Sequence, residues 1–473
     1  MMAILPELVL LCGATFYFIV SLLPSPGVRL LRGSSIFIGL LVFASACLTY
    51  GQESTLFHNA YVVDNYTQMF KVLIGFALAV VMIFGVELRG IENSVRAEYS
   101  MFLYLSVLGL MMLVSSVELI AIFISLELSS FALYVMVPMR DDSTGTRTQM
   151  EAGIKYVLFG VMATGFMLFG MSYLFGLTGS TYLQDIIPAL QGLGGQPAVV
   201  VSVIMILAGF FYKLAVFPMH FWVPDVYEGA SNETTGFIAT VPKLGAVALL
   251  IRLMTLPSGQ PEFLVQFLGG VAVCSMFYGN LCALVQKDIK RMLGYSGISH
   301  AGFVVLGLLS LRAEGYGLAI YYIAGYVIMN LACFLVISAL SQRGENLQID
   351  DFNGLYKRQP VLAFILSVSL FALAGIPPFV GFMGKFFLLT STLQQDHLII
   401  VILAAINTAI AIYYYLSVVK AAYTTDSNDE QPAILVPPMT RITGLVLVVM
   451  IILMGTLPSK FVNFAGSLVQ SIM

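Results

Sequence analysis

Apolar stretches of about 18 to 25 residues recur from one end of this chain to the other, each long enough to cross roughly 30 Å of hydrocarbon as a helix. No other feature restricts the fold as much. Inside a bilayer every backbone amide and carbonyl must be satisfied internally, so such runs become helices. Fourteen spans are expected, at roughly 4–23, 33–50, 66–86, 99–115, 117–138, 150–176, 198–221, 235–256, 263–285, 291–310, 316–340, 360–390, 397–420 and 441–457. Composition agrees: 59% of the residues are hydrophobic and 10% charged, against roughly 25% charged in soluble domains. The expected fold is an all-α, polytopic membrane protein. Its opening, "MMAILPELVLLCG", carries Glu7 and no basic flank, and so reads as a first span rather than a cleaved signal.

Charge in the connections supports an even number of spans. If the spans alternate, one side collects Arg29, Arg32, Arg89, Arg96, Arg140, Arg147, Lys287, Lys290, Arg291, Arg343, Lys357, Arg358, Lys420 and Arg441, while the other holds only Arg312 and Lys460. The positive-inside rule then puts the first side in the cytoplasm and both termini outside. The longest polar connections, 51–65, 139–149, 177–197, 341–359 and 421–440, are too short for a soluble domain, and "TTDSNDEQPAILVPP" reads as a proline-broken loop.

Two spans are interrupted. The seventh breaks at "VFPMHFWVP" and the twelfth at "FALAGIPPFVGFMGKFFLL", with Pro377, Pro378, Gly381 and Gly384 just before Lys385. They are five spans apart, and an odd offset reverses orientation in the membrane. Spans 4–8 and 9–13 are therefore expected to form two inverted five-helix repeats, each with one discontinuous helix, the arrangement that marks an ion site near the midplane. The expected division is 1–98, an N-terminal three-helix unit; 99–258 and 259–422, the two repeats; and 423–473, a loop and the last span.

Ionisable residues in midspan are the main chemical signal. Each costs about 2.5 to 3.5 kcal/mol at the centre of a membrane helix, so four or five cost on the order of 10 kcal/mol. Glu127, Lys213, Lys243 and Lys385 lie well inside apolar runs. The plain alternative is snorkelling or a static pair. That suits Lys71 and Arg252 near span ends, Glu118 at the edge of the fifth span, and Lys155, which has Glu151 one helical turn back. Lys213, Lys243 and Lys385 resist it, since each has apolar neighbours on both sides and two stand beside helix breaks. Backbone freed by a break can be satisfied only by protein or water at that depth. A lysine that is partly dry and partly wet can exchange a proton, and Glu127 in "FISLELSSF" supplies an anion whose distance would control that exchange. His220, seven residues beyond Lys213, and His300, near Tyr295, Ser296 and Ser299, are candidates to relay or tune it, although a single histidine more often plays a structural part.

The five cysteines, Cys12, Cys47, Cys274, Cys282 and Cys333, all lie in apolar spans at unrelated spacings. Neither CxxC, nor paired histidines, nor a glycine-rich phosphate loop occurs, so no metal, iron–sulfur, haem or nucleotide site is expected. Any redox chemistry is expected in another chain. A net charge of −3 says nothing about partners; no nucleic-acid partner is expected.

The segments "YKLAVFPMHFWVPDVYEGA", "ATVPKLGAVALLIR", "QKDIKRMLGYSGISHAGFVVLG" and "LAGIPPFVGFMGKFFLL" resemble the antiporter-like membrane subunits of respiratory complex I, the bacterial-type NADH–quinone oxidoreductase. "PDVYEGA", "VPKLG" and a lysine at 385 are most similar to its subunit N. The resemblance covers nearly the whole chain and is strongest from about 99 to 420. It implies a proton-translocating subunit of the bacterial inner membrane, driven by NADH oxidation and quinone reduction elsewhere. NADH, FMN, iron–sulfur clusters and quinone would be held by other subunits, and the partners would be those subunits, sister antiporter-like chains among them, and lipid. By the same resemblance Glu127 and Lys213 match the paired fifth- and seventh-span residues, Lys243 the connecting lysine, Lys385 the lysine toward the exit, and Lys155 a basic residue that tunes the pair. "ASNETTGF" departs from the family's usual proline- and threonine-rich stretch before the eighth span. A cation/proton antiporter subunit, a ferredoxin- or hydrogenase-linked relative, and an anchor without an ion path are the competing readings. Midspan lysines argue against the last.

Overall fold

The computed structural model describes residues 2–23, 27–141, 148–191, 193, 196–254, 261–424 and 436–472. Arg147 and most of the 424–438 loop lie outside the described residues. In chain order the elements are α1 (Leu5–Ser21), α2 (Val28–Leu48), a hairpin of β1 (Ser54–Leu56) and β2 (Tyr61–Val63), α3 (Asn65–Phe84), α4 (Arg96–Ser115), α5 (Leu119–Met136), α6 (Gln149–Thr178), α7 (Leu183–Gln191), α8 (Pro197–Leu214), α9 (Val223–Gly229) and α10 (Asn232–Leu253). The second half continues with α11 (Pro261–Ala283), α12 (Ile289–Leu309), α13 (Ala313–Leu340), α14 (Leu355–Arg358), α15 (Pro360–Ala374), α16 (Val380–Leu393), α17 (Leu398–Tyr423), α18 (Pro438–Thr456) and α19 (Pro458–Gln470). Among the described residues, 13 helices are long and apolar enough to cross a membrane. The two shorter apolar helices, Pro360–Ala374 and Val380–Leu393, are the halves of the broken twelfth span, which makes the expected fourteen crossings.

Two connections hold more structure than their polarity suggested. The 177–197 connection contains α7, and a further helix, α19, follows the last span with Pro458 at its first position. Neither is long enough to register as a span.

The repeats share their packing. α4 lies along α5 as α11 lies along α12, and the broken helices pack against the long α6 and α13. α4 can approach α5 closely because Gly109 carries no side chain; a Cβ there would stand 2.6 Å from the Ser129 amide nitrogen. α10, α12 and α13 form the centre: the apolar stretches of all three are at least 94% buried. One end of the bundle gathers the β-hairpin, with bridges from Tyr61 to Ser116 and from Glu118 to Tyr182, while the other carries bridges from Ile91 to Arg140 and from Asp288 to Gln348. We call these the hairpin end and the basic end.

Both breaks are built the same way. α8 ends on Ala215 at φ 67° and α15 on Gly375 at φ 87°. At each, the next amide reaches back over the end of the helix: Val216 N–H to Phe211 O at 2.8 Å, and Ile376 N–H to Phe371 O at 3.0 Å. This is the Schellman arrangement that satisfies carbonyls left open at a helix C-terminus. Each break also contains one cis X–Pro bond, Phe217–Pro218 and Pro377–Pro378.

Candidate functional site

Lys213, Lys243 and Lys385 are 3%, 1% and 4% exposed, and Glu127 is 9% exposed. Among the described residues none of the three lysines is held in an ion pair; each donates to neutral groups. Lys213, in the last turn of α8, donates to Ser130 Oγ at 3.0 Å and Ser129 Oγ at 3.4 Å. Glu127, on the same helix as those serines, accepts from Thr164 Oγ1 at 2.8 Å instead. The structure thus brings Glu127 and Lys213 into one neighbourhood without direct contact, and serines separate them from the expected pairing. "FISLELSSF" contained that signal, since Ser129 and Ser130 follow the glutamate by two and three positions.

Lys243 sits in the middle of α10. It donates to Tyr326 Oη at 3.0 Å and toward Gly297 O at 3.4 Å, with its ammonium 4.7 Å from the Tyr326 ring centre. The next group along is His300, whose ring lies 5.1 Å from that of Tyr326. Its Nδ1 is 2.7 Å from Tyr322 Oη and its Nε2 3.1 Å from Tyr415 Oη, which donates to Ser296 Oγ at 2.8 Å. His300 is therefore joined on both nitrogens, by tyrosines that carried no distinguishing pattern in the sequence. Lys385 continues the line: its ammonium is 5.2 Å from the Phe303 ring centre and donates to Leu373 O and Ala374 O at 3.0 and 3.2 Å.

His220 is fully buried between Phe217, Phe221 and Tyr278, and neither ring nitrogen has a hydrogen-bond partner among the described residues. It is not joined to Lys213. Trp222 is the residue of this break that acts on the helix end, donating through Nε1 to Tyr212 O at 3.1 Å.

Lys155 lies apart from Glu127 and Lys213. It pairs with Glu151 at 2.7 Å and Asp225 at 2.6 Å, and Asp225 and Glu228 in turn hold Arg291 at 2.9 and 2.6 Å. Burial pushes the Asp225 carboxyl up, but the hydrogen bonds from Lys155 and Arg291 outweigh it and leave the group below its ordinary value. This acidic pair on α9 was missed by the sequence reading, although "PDVYEG" displays it. Arg140 and Lys290 cap the same short helix, donating to Glu228 O at 2.9 Å and Ala230 O at 2.8 Å. The unusual "ASNETTGF" forms the start of α10: Ser231 caps it by accepting from Thr234 N at 3.2 Å.

Three of the lesser charges can be placed as well. Glu118 caps α5 through Ala121 N at 2.7 Å, and Arg252 pairs with Asp64 at 2.8 Å. Lys71 does not snorkel: it is buried against Glu7 at 2.6 Å. No group of three or more His, Cys, Asp or Glu placed to hold a metal occurs among the described residues.

A bundle with two inverted broken-helix repeats around a line of buried lysines defines an antiporter-like membrane subunit. A family model described as "NADH:quinone oxidoreductase/Mrp antiporter, TM" matches residues 116–411. The chain is 50% identical over 393 residues to NADH-quinone oxidoreductase subunit N 2 of Opitutus terrae, covering 83% of this chain and 82% of that one. It is 39% identical over 472 residues to the subunit of the same name from Syntrophobacter fumaroxidans, covering 100% and 99%. Among solved structures, a chain of respiratory complex I from Thermus thermophilus superposes with a TM-score of 0.82 at 28% identity, covering 97% of this chain and 99% of that one. A chain of the Mrp complex from Dietzia, 18% identical with a TM-score of 0.84, shares the fold. The chain belongs to the subunit N family of NADH–quinone oxidoreductase.

Proposed function

We propose that this chain moves protons across the membrane through Lys213, Lys243, His300 and Lys385, driven by electron transfer in partner subunits. The observation that carries the reading is the line of buried groups from Lys243 through Tyr326, His300, Tyr322 and Phe303 to Lys385, in which the lysines meet hydroxyls, carbonyls and rings but, among the described residues, no carboxylate in direct contact. A cation kept only for helix pairing would gain most from a carboxylate partner. One left with neutral partners in a dry interior can give up its charge at modest cost, the property a proton carrier requires. Glu127 would set how readily Lys213 holds its proton: in direct contact it would stabilise the ammonium most, and held by Thr164, as here, it acts only across a distance.

In this reading the basic end faces the cytoplasm of a bacterial inner membrane and the hairpin end and both termini face outward. NADH, FMN, iron–sulfur clusters and quinone belong to the partner subunits, since electron transfer need reach this chain only as a mechanical or electrostatic signal. The test is inside-out vesicles carrying the full complex with Lys213→Ala. Proton uptake per NADH is expected to fall sharply while the assembled complex remains. A normal ratio in that variant removes Lys213 from the path.

A further inference from the structure

Lys243 stands at one end of the line described above, and what governs its proton on the side of the first break is not part of that line. Two hydroxyls beside it are incompletely used. Tyr326 Oη accepts from Lys243 at 3.0 Å, and among the described residues its own hydrogen has no acceptor. Tyr227, on α9, is 0% exposed, and its Oη has no hydrogen-bond partner among the described residues. A fully buried hydroxyl without a partner is costly. Packing does not account for it, since the Tyr227 ring already lies against Trp222 and Phe334, with centroids 6.4 and 6.5 Å away, and phenylalanine would fill the same place.

Two bare positions on α12 bring these groups together. A Cβ at Gly294 would lie 3.2 Å from Tyr227 Cδ2, and one at Gly297 would lie 2.8 Å from Tyr326 Oη and 3.0 Å from Lys243 Nζ. Both glycines stand on one face of the helix. Along that face the Tyr227 and Tyr326 hydroxyls act on each other electrostatically. The other titratable groups around the site are His300 on α12, Tyr322 and Cys333 on α13, Tyr415 on α17 and Tyr156 on α6. Helices α3, α4 and α8 also pack on α10 and, among the described residues, add none that acts on Lys243. α9 itself is tied by charge. Asp225 pairs with Lys155 and Arg291, Glu228 pairs with Arg291, and Arg140 and Lys290 reach the carbonyls of Glu228 and Ala230. Ties of that kind respond to charge at the basic end, so α9 is suited to carry Tyr227 between two positions.

We propose that Tyr227 is a positioning residue for proton release at Lys243, acting through Tyr326. When α9 shifts so that the Tyr326 hydroxyl donates to Tyr227 Oη, the Tyr326 oxygen becomes a better acceptor for the ammonium, because hydrogen bonds in a chain strengthen one another in a dry interior. Lys243 then keeps its proton. With that bond open, as here, the proton is given up more readily. The inference rests on the proton-carrying reading of Lys243 and adds the residue by which α9, beside the first break, acts on it. No covalent bond changes at Tyr227 itself; only the hydrogen bond between the two hydroxyls is made or broken.

The experiment measures protons moved per NADH oxidised across a range of pH, in vesicles carrying the full complex with Tyr227→Phe, Tyr326→Phe, both together, or Lys243→Ala. Tyr227→Phe keeps the ring and removes the closed state, so the alkaline limb of the profile should move to lower pH by about half a pH unit. Adding Tyr227→Phe to Tyr326→Phe should change nothing further, because Tyr227 acts only through Tyr326. An unmoved limb in Tyr227→Phe overturns the proposal, and so does a shift that persists in full on the Tyr326→Phe background. Melting of the complex separates packing from positioning: it should not fall in Tyr227→Phe, and a fall that accompanies the shift would assign the effect to packing and overturn the proposal as well. A normal ratio in Lys243→Ala overturns the reading beneath it.

Discussion

The two broken helices are closed by the same backbone motif and furnished with opposite chemistry. Aligned on their left-handed caps, Ala215 and Gly375, the breaks share the cap hydrogen bonds to Tyr212 O and Phe211 O and to Ala372 O and Phe371 O, yet their lysines do not coincide. Lys213 precedes its cap by two residues, where the second repeat has Leu373. Lys385 follows its cap by ten, where the first repeat has Asp225. Lys385 then reaches back to Leu373 O and Ala374 O, the carbonyls opened by its own break. In the first repeat Trp222 donates to Tyr212 O, a carbonyl that the Ala215 amide also reaches at 3.1 Å, and Lys213 meets serine hydroxyls instead. A cation tied to a helix C-terminus is favoured by the dipole and by two hydrogen bonds. The comparison teaches that Lys385 combines a structural duty with any transfer role, whereas Lys213 has been relieved of one.

The largest expected effects separate these duties. Lys213→Ala should abolish most proton movement per NADH and leave the assembled complex's thermal stability nearly unchanged. Lys385→Ala should lower both, because it strands buried carbonyls at a cost of about 1 to 3 kcal/mol. Melting of the purified complex followed beside vesicle pumping distinguishes them; equal melting of the two variants would erase the contrast. Next in size, Trp222→Phe removes the donor to Tyr212 O and part of a stack whose rings lie 4.7 Å from Tyr156. A destabilisation of about 1 kcal/mol is expected, since Tyr212 O keeps the Ala215 amide at 3.1 Å, together with a change in pumping as Lys213 turns toward the freed side of that carbonyl. Destabilisation without any change in pumping would show that Lys213 does not make that turn.

Gly375→Ala sharpens the same comparison at smaller scale. Alanine already stands at 215, but at 375 its Cβ would lie 3.2 Å from Lys385 Cδ, in a left-handed conformation that costs an L-residue roughly 1 to 2 kcal/mol. The expected result is mild destabilisation and reduced pumping, while Ala215→Gly leaves pumping intact. The smallest effect concerns Asp225. Its carboxyl is held below its ordinary value by Lys155 and Arg291, so its contribution to stability is fully present above the unfolded carboxylate range and is lost as pH falls through the lower, folded value. Asp225→Asn should therefore lower stability near neutrality, where the carboxylate's contribution is complete, and its difference from the parent should vanish as pH falls through the folded value. A difference that persists unchanged to acid pH would place its titration elsewhere.

How much was legible beforehand varies by residue. Lys213, Lys243 and Lys385 stood out because hydrocarbon penalises a charge by several kcal/mol wherever it falls, and no tertiary information is needed to see that. Lys71 was misjudged on the same scale. A lysine six residues from the start of its helix can reach the interface, and only the position of Glu7, 64 residues away in the chain, turns it inward. His220 and His300 looked alike in sequence. One is packed among rings without a partner and the other is bonded through both nitrogens, because Tyr322 and Tyr415 belong to other helices.

By itself the sequence determined the membrane, the fourteen crossings and the two interruptions, because hydropathy, length and helix breaking are local properties of the chain. Tertiary structure alone decided which neutral group each lysine meets, that Glu127 is held by Thr164 rather than Lys213, and that Lys71 closes on Glu7. Those pairings join helices far apart in sequence, and a few ångströms of helix rotation separate an ion pair from a hydrogen bond to a serine.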